Sequence, residues 1–163
     1  MSDANNRIDY SGRTVDILLL KTVLKVPASN HRVRIDADGT PMIVSGVEKM
    51  VQRYALAFIN AIGSTKFRAG HGTYLIPDVA TGRVYDMSTL TATASEANFM
   101  ARDQIMKADS EEPDTPDDER LVDSEVYDLK MSVDRSSVDV SVRLTSAAGD
   151  EYVYIIPVAI GVH

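Results

Sequence analysis

The sequence predicts a single α+β domain in which two helices pack on a small, mainly antiparallel β-sheet with extended terminal strands. Three observations lead there. Apolar residues recur at three-and-four spacing from Ser45 to Ile62 and again from about Ser88 to Asp109, they alternate residue by residue in the last third of the chain, and compact turn signals separate the pieces. A length of 163 residues suits one domain, and 44% apolar residues supply its core.

Residues 1–44 read as an extended N-terminal arm. Val15, Ile17 and Leu19 begin an extended segment from Thr14 to Val26, which Pro27 closes. Val33 and Ile35 are expected to face Met42 and Val44 across Asp36-Ala37-Asp38-Gly39, whose Asp-Gly pair supplies the positive φ of a tight hairpin. The first helix is expected from Ser45 to Ile62. Ser45 and Glu48 have the S-x-x-E spacing of a capping box, in which each side chain satisfies a backbone N–H left free at a helix start. Met50, Tyr54, Phe58 and Ile62 mark the face assigned to the core, and Gly63 is the left-handed stop.

Gly63 to Asp86 reads as a structured loop punctuated by Gly70, Gly72, Pro77 and Gly82. A second helix is expected from about Ser88 to Asp109, with Leu90, Ala94, Ala97, Ala101, Ile105 and Ala108 along one side and a first turn weakened by Thr91 and Thr93. Ser110 to Glu119 crowds six acids around Pro113 and Pro116 with no apolar residue, the composition of a solvated connection. Beyond it, Tyr127, Leu129, Met131 and Val133 form one alternating strand and Val138, Val140, Val142 and Leu144 a second, turning near Arg135-Ser136. A C-terminal strand spans 151–163, its apolar run from Tyr152 to Ile160.

Composition removes several function classes. A net charge of -7 repels phosphate backbones, so nucleic acid is not an expected partner. No stretch approaches the roughly 20 apolar residues of a membrane span, and Met1 to Asn6 carries no basic region leading into an apolar one. Zero cysteines exclude thiol chemistry and thiolate metal sites. His31, His71 and His163 are too scattered for a local metal motif, and Gly70-His71-Gly72 reads as loop structure. Asp36 to Gly39 resembles a calcium loop for four residues, then fails where Val47 stands in place of the bidentate Glu. Glu48 is explained by capping, and the acids of Asp109 to Glu119 by solvated surface. No catalytic residue, cofactor or metal is therefore expected, and the chain reads as non-enzymatic.

Gly63-Ser64-Thr65-Lys66-Phe67, then Gly72 and Leu75, follow directly on the first helix. This segment resembles the baseplate wedge proteins called sheath initiators in contractile-tailed bacteriophages, a family also labelled lysozyme-like. Those proteins have an amphipathic helix ending in a Gly-Ser turn, a Phe three residues after the Ser, and a Gly-x-x-Leu shortly after. A second helix, a Glu-Pro-Arg-apolar signature and a β-hairpin follow. Here Glu119-Arg120-Leu121 occupies the place of the signature without its proline. The resemblance covers about residues 45–144, with the acidic insertion before Glu119 and the C-terminal strand as additions.

The resemblance implies a structural role in the virion, at the tail baseplate, after assembly in the host cytoplasm. The domain would sit in several copies at the base of the tail tube, dock on wedge proteins through Glu119, Arg120 and Leu121, and offer its sheet to strands from the tail sheath protein. Apolar edge segments make such strand addition physically reasonable. Two rivals differ in class: a peptidoglycan-degrading enzyme, which needs a carboxylate pair this chain does not supply free of structural explanation, and an unrelated small adaptor module.

Overall fold

A computed structural model describes residues 16–17, 43–66, 68–133 and 136–159. The elements run β1 (Asp16–Ile17), β2 (Ile43–Val44), α1 (Val47–Ile59), α2 (Leu75–Ala80), α3 (Met87–Glu111), β3 (Leu121–Met131), β4 (Ser137–Ser146) and β5 (Glu151–Ala159). The class is α+β: among the described residues there are three helices, one of them short, with an antiparallel sheet ordered β3-β4-β5. β1 and β2 form a separate two-stranded ladder in which Asp16 pairs with Val44 and Ile17 with Ile43. Most of the predicted Thr14 to Val26 segment and of the Val33 to Met42 hairpin lies outside the described residues, as do Phe67, Arg135 and the last residues from Ile160 on.

α1 presents Met50, Tyr54 and Phe58 to the core, all three fully buried, because their spacing of four places them on one face. The Tyr54 and Phe58 rings stack with centroids 5.9 Å apart. α3 packs against α1 and β3 and buries Leu90, Ala94, Ala97, Ala101 and Ile105 along one side, where the small alanines allow close approach. The sheet meets these helices with Val138, Val140, Val142 and Leu144 of β4 and Tyr154, Ile156 and Val158 of β5. A buried polar chain crosses the three layers: Tyr54 Oη donates to Asn98 Oδ1, and Asn98 Nδ2 donates to the Ser124 carbonyl at 3.0 Å. Burial holds the Tyr54 hydroxyl well above the usual tyrosine pKa. Phe58→Ala is expected to cost about 3–5 kcal/mol, since the stacked ring sits where little can collapse around the void. Thermal melts check this; an unchanged midpoint would show that the face is an interface and not core.

Four elements differ from the sequence reading. α1 begins one residue later than a Ser45 cap implies: the cap position is Gly46, at φ 63°, with no side-chain cap. It also ends at Ile59, leaving Ile62 only half-buried, because Asn60 turns extended and Ala61 enters a parallel bridge with Thr73. α2 lies within the expected loop; its six residues are too few for a periodic signal. α3 starts firmly despite its threonines, through a capping box between Asp86 and Thr89. β3 starts six residues before Tyr127 and carries bulges between Leu121 and Asp123 and between Val126 and Asp128. The second bulge drops Tyr127 from the pairing and turns it outward, 58% exposed, with Arg143 stacked 4.6 Å from its ring centroid.

Candidate functional site

The acidic connection is solvated along its middle, as its composition suggests, but anchored at both ends. Its end residues Asp109 and Glu119 are buried, each holding a backbone N–H and a basic side chain of α1. Glu119 Oε1 accepts from the Gly46 N–H at 2.8 Å, and Oε2 takes the Lys49 ammonium at 3.0 Å. Asp109 Oδ2 accepts from the Leu121 N–H at 3.0 Å, while Arg53 Nη2 lies 2.7 Å from Oδ1. A carboxylate at a helix N-terminus also complements the helix dipole. Glu119 thus serves Gly46 as a local glutamate would in a capping box, from 73 residues away in sequence. Glu48, expected in that role, sits in the first turn without making the cap.

Arg120 follows Glu119 directly in the chain and is half-exposed. Its Nη2 donates to the carbonyls of Pro113 at 2.9 Å and Thr115 at 2.8 Å, and Nη1 lies 3.7 Å from Asp117 Oδ1. The planar fork of guanidinium suits two carbonyls at once, which an ammonium would not match as well. The Ala147 N–H donates to the Arg120 carbonyl and the Ala148 N–H to the Asp117 carbonyl, tying the β4-β5 turn to the same loop. Leu121 is buried in the core cluster. Of the three predicted docking residues, Glu119 and Leu121 therefore face inward and Arg120 reaches the surface. Between the buried ends, Glu111, Glu112, Asp114 and Asp117 are exposed.

The predicted turn motif divides likewise. Gly63, at φ 78°, and Ser64 form an exposed turn after α1. Gly72 and Leu75 are buried, Leu75 heading α2. Gln104 of α3 clamps Gly72 from both sides: Oε1 accepts its N–H and Nε2 donates to its carbonyl, each at 2.9 Å. Buried Thr73 then closes the end of α1, donating through Oγ1 to the Phe58 carbonyl at 2.7 Å.

The sheet has two edges among the described residues. β3 is interrupted by its bulges and partly covered, since its Ser124 carbonyl is taken by Asn98 of α3. β5 pairs with β4 without a bulge over its nine residues. At the turn, the Ser146 N–H donates to the Asp150 carbonyl at 3.0 Å, which marks that pair as hydrogen-bonded. Alternation makes Thr145↔Glu151, Arg143↔Val153, Ser141↔Ile155 and Asp139↔Pro157 non-hydrogen-bonded pairs. Glu151, Val153, Ile155 and Ala159 therefore aim their N–H groups off the free edge. Pro157 falls in that phase, where its missing N–H removes no ladder bond.

His71 is half-buried, its pKa lowered first by burial and then by the nearby Arg68 charge. No group of three His, Asp or Glu able to hold a metal ion occurs among the described residues. Nor is any described helix long and apolar enough to cross a membrane. Comparisons with protein-family models, curated proteins and solved structures find no match for this chain.

Proposed function

We propose that this domain is a non-enzymatic structural part of a contractile phage tail baseplate, where it links the wedge to the first sheath ring and templates sheath assembly by accepting a strand. The observation that carries the reading is the free edge of β5, a row of outward N–H and C=O groups to which no strand is paired among the described residues. The ordered resemblance over about residues 45–144 supplies the setting, and the buried carboxylates Asp109 and Glu119, each tied to a backbone N–H and to a basic side chain of α1, favour architecture over catalysis. Pro157 sharpens the geometry: an added strand can pair continuously only over Glu151 to Ile155, and its register is fixed by the gap that follows.

Hydrogen exchange tests the mechanism. The amides of Glu151, Val153 and Ile155 are expected to exchange fast in the isolated domain and at least tenfold more slowly with sheath protein bound. The amides of Tyr154 and Ile156, already bonded to β4, should change little. Equal, slow exchange of the odd-numbered amides in both states would sink strand addition at this edge.

A further inference from the structure

α3 carries a second apolar face that points away from the core. Phe99 is 59% exposed and Met106 42%, and they stand two turns apart on one side of the helix, about 10 Å along its axis. Arg102, between them, lies 5.8 Å from the Phe99 ring centroid and reaches Asp123 Oδ1 at 2.7 Å, which ties the stripe to the start of β3. There Val122 is 49% exposed. Next to Met106 the surface dips into a groove of about 440 Å³ lined by Met106, Ser110, Pro113, Arg120 and Val122 over Leu121.

The exposed charge around this groove is mainly negative. Glu111, Glu112 and Asp114 are exposed and in no ion pair with a described residue, while Asp117 and Asp118 follow in the same loop. Against them stand Lys107 and Arg120, and Arg120 already turns its guanidinium on two carbonyls and Asp117. An anionic lipid surface or a nucleic acid would be repelled. A second copy of this chain, with its net charge of -7, is also a poor occupant.

We propose that the groove and the Phe99–Met106 stripe together seat a basic amphipathic helix of a partner protein. Its apolar side chains, one or two turns apart, would cover Met106, Val122 and Phe99, and its Lys or Arg side chains would face the 111–117 loop. This deepens the wedge-docking half of the reading above, and moves the weight of docking from the Glu119-Arg120-Leu121 triplet to the groove beside it. It does not involve the β5 edge.

The test uses the full chain and three fluorescent synthetic peptides: an amphipathic Lys/Leu helix, a Glu/Leu helix of the same pattern, and a Lys/Ser peptide. The Lys/Leu helix is expected to bind with an affinity that falls as salt rises, the other two at least tenfold more weakly. Both Met106→Ser and Val122→Ser should weaken it about tenfold, and Glu111→Gln with Glu112→Gln and Asp114→Asn should flatten the salt dependence. These positions are exposed, so unchanged melts will show that the variants fold. No binding, equal binding of the Glu/Leu or Lys/Ser peptide, or indifference to the two Ser variants would overturn the proposal. Groove binding without co-purification of wedge proteins would instead sink the baseplate reading and leave the groove standing. Co-purification of wedge proteins that survives both Ser variants would overturn the groove alone.

Discussion

Replacing Glu119 by Ala is expected to destabilise the domain by about 2–4 kcal/mol, and to lower its melting temperature by roughly 5–15 °C. The side chain has no access to solvent, and both oxygens are committed to α1: one to the Gly46 N–H, the other to the Lys49 ammonium. Removing one partner of a buried pair costs about 3–5 kcal/mol when the other charge is stranded. Lys49 is not wholly stranded, because 13% of its side chain is exposed and it can regain water by rotating. Gly46 has no such escape: it is buried, and its N–H would lose its acceptor at the start of the helix that carries Met50, Tyr54 and Phe58. Glu119→Gln separates the two contributions, because an amide oxygen still accepts from Gly46 while the charge is gone. Less than half the loss is expected for Gln. Equal losses would assign the effect to the charge, and no loss for Ala would remove the cap from the account of this fold.

That prediction could not have been made from the sequence, and the reason is physical. A capping box is a local pattern, and Ser45-x-x-Glu48 meets it; the acceptor actually used lies 73 residues away and reaches α1 only in the folded domain. Glu119 and Asp109 sit at the ends of an acidic run whose middle is exposed, and composition averages over such ends. Periodic burial was legible throughout: the Met50, Tyr54, Phe58 face, the alanine stripe of α3, and the alternation of β4 and β5 all follow from spacings of three and four or of two. Tyr127 kept the alternation and still points outward, because a bulge shifts phase without changing the sequence pattern. Of the candidate sites, the open edge of β5 was visible as an apolar terminal strand. Its phase needed the turn hydrogen bond that starts the ladder. The groove beside Arg120 left no sequence signal, since Met106 and Val122 belong to different elements.

Gly72→Ala is expected to cost about 2–6 kcal/mol, the sum of a strained backbone and an overpacked contact. Gly72 sits at φ +106°, a conformation that residues with a Cβ rarely adopt. An added Cβ would stand 2.5 Å from the Asn60 carbonyl oxygen and 3.0 Å from the Ala61 backbone. These atoms cannot move aside cheaply: the Asn60 carbonyl accepts from the Thr73 N–H at 2.8 Å, and the Ile62 N–H donates to the Thr73 carbonyl at 3.0 Å. A clash there pries apart the bridge that ends α1, and with it the Thr73 hydroxyl contact to Phe58. For a domain whose whole stability is on the order of 5–15 kcal/mol, the upper part of that range leaves little fold at 37 °C. Gly70→Ala is the control, because nothing lies within 4 Å of its added Cβ, and its effect should stay within about 1 kcal/mol. Gln104→Ala should fall between the two at about 1–2 kcal/mol, since it removes both hydrogen bonds of the clamp but leaves Gly72 free to keep its backbone. Urea melts of the three variants rank them. If Gly72→Ala matched Gly70→Ala, the close approach between the end of α1 and the strand segment at Thr73 would not exist in solution.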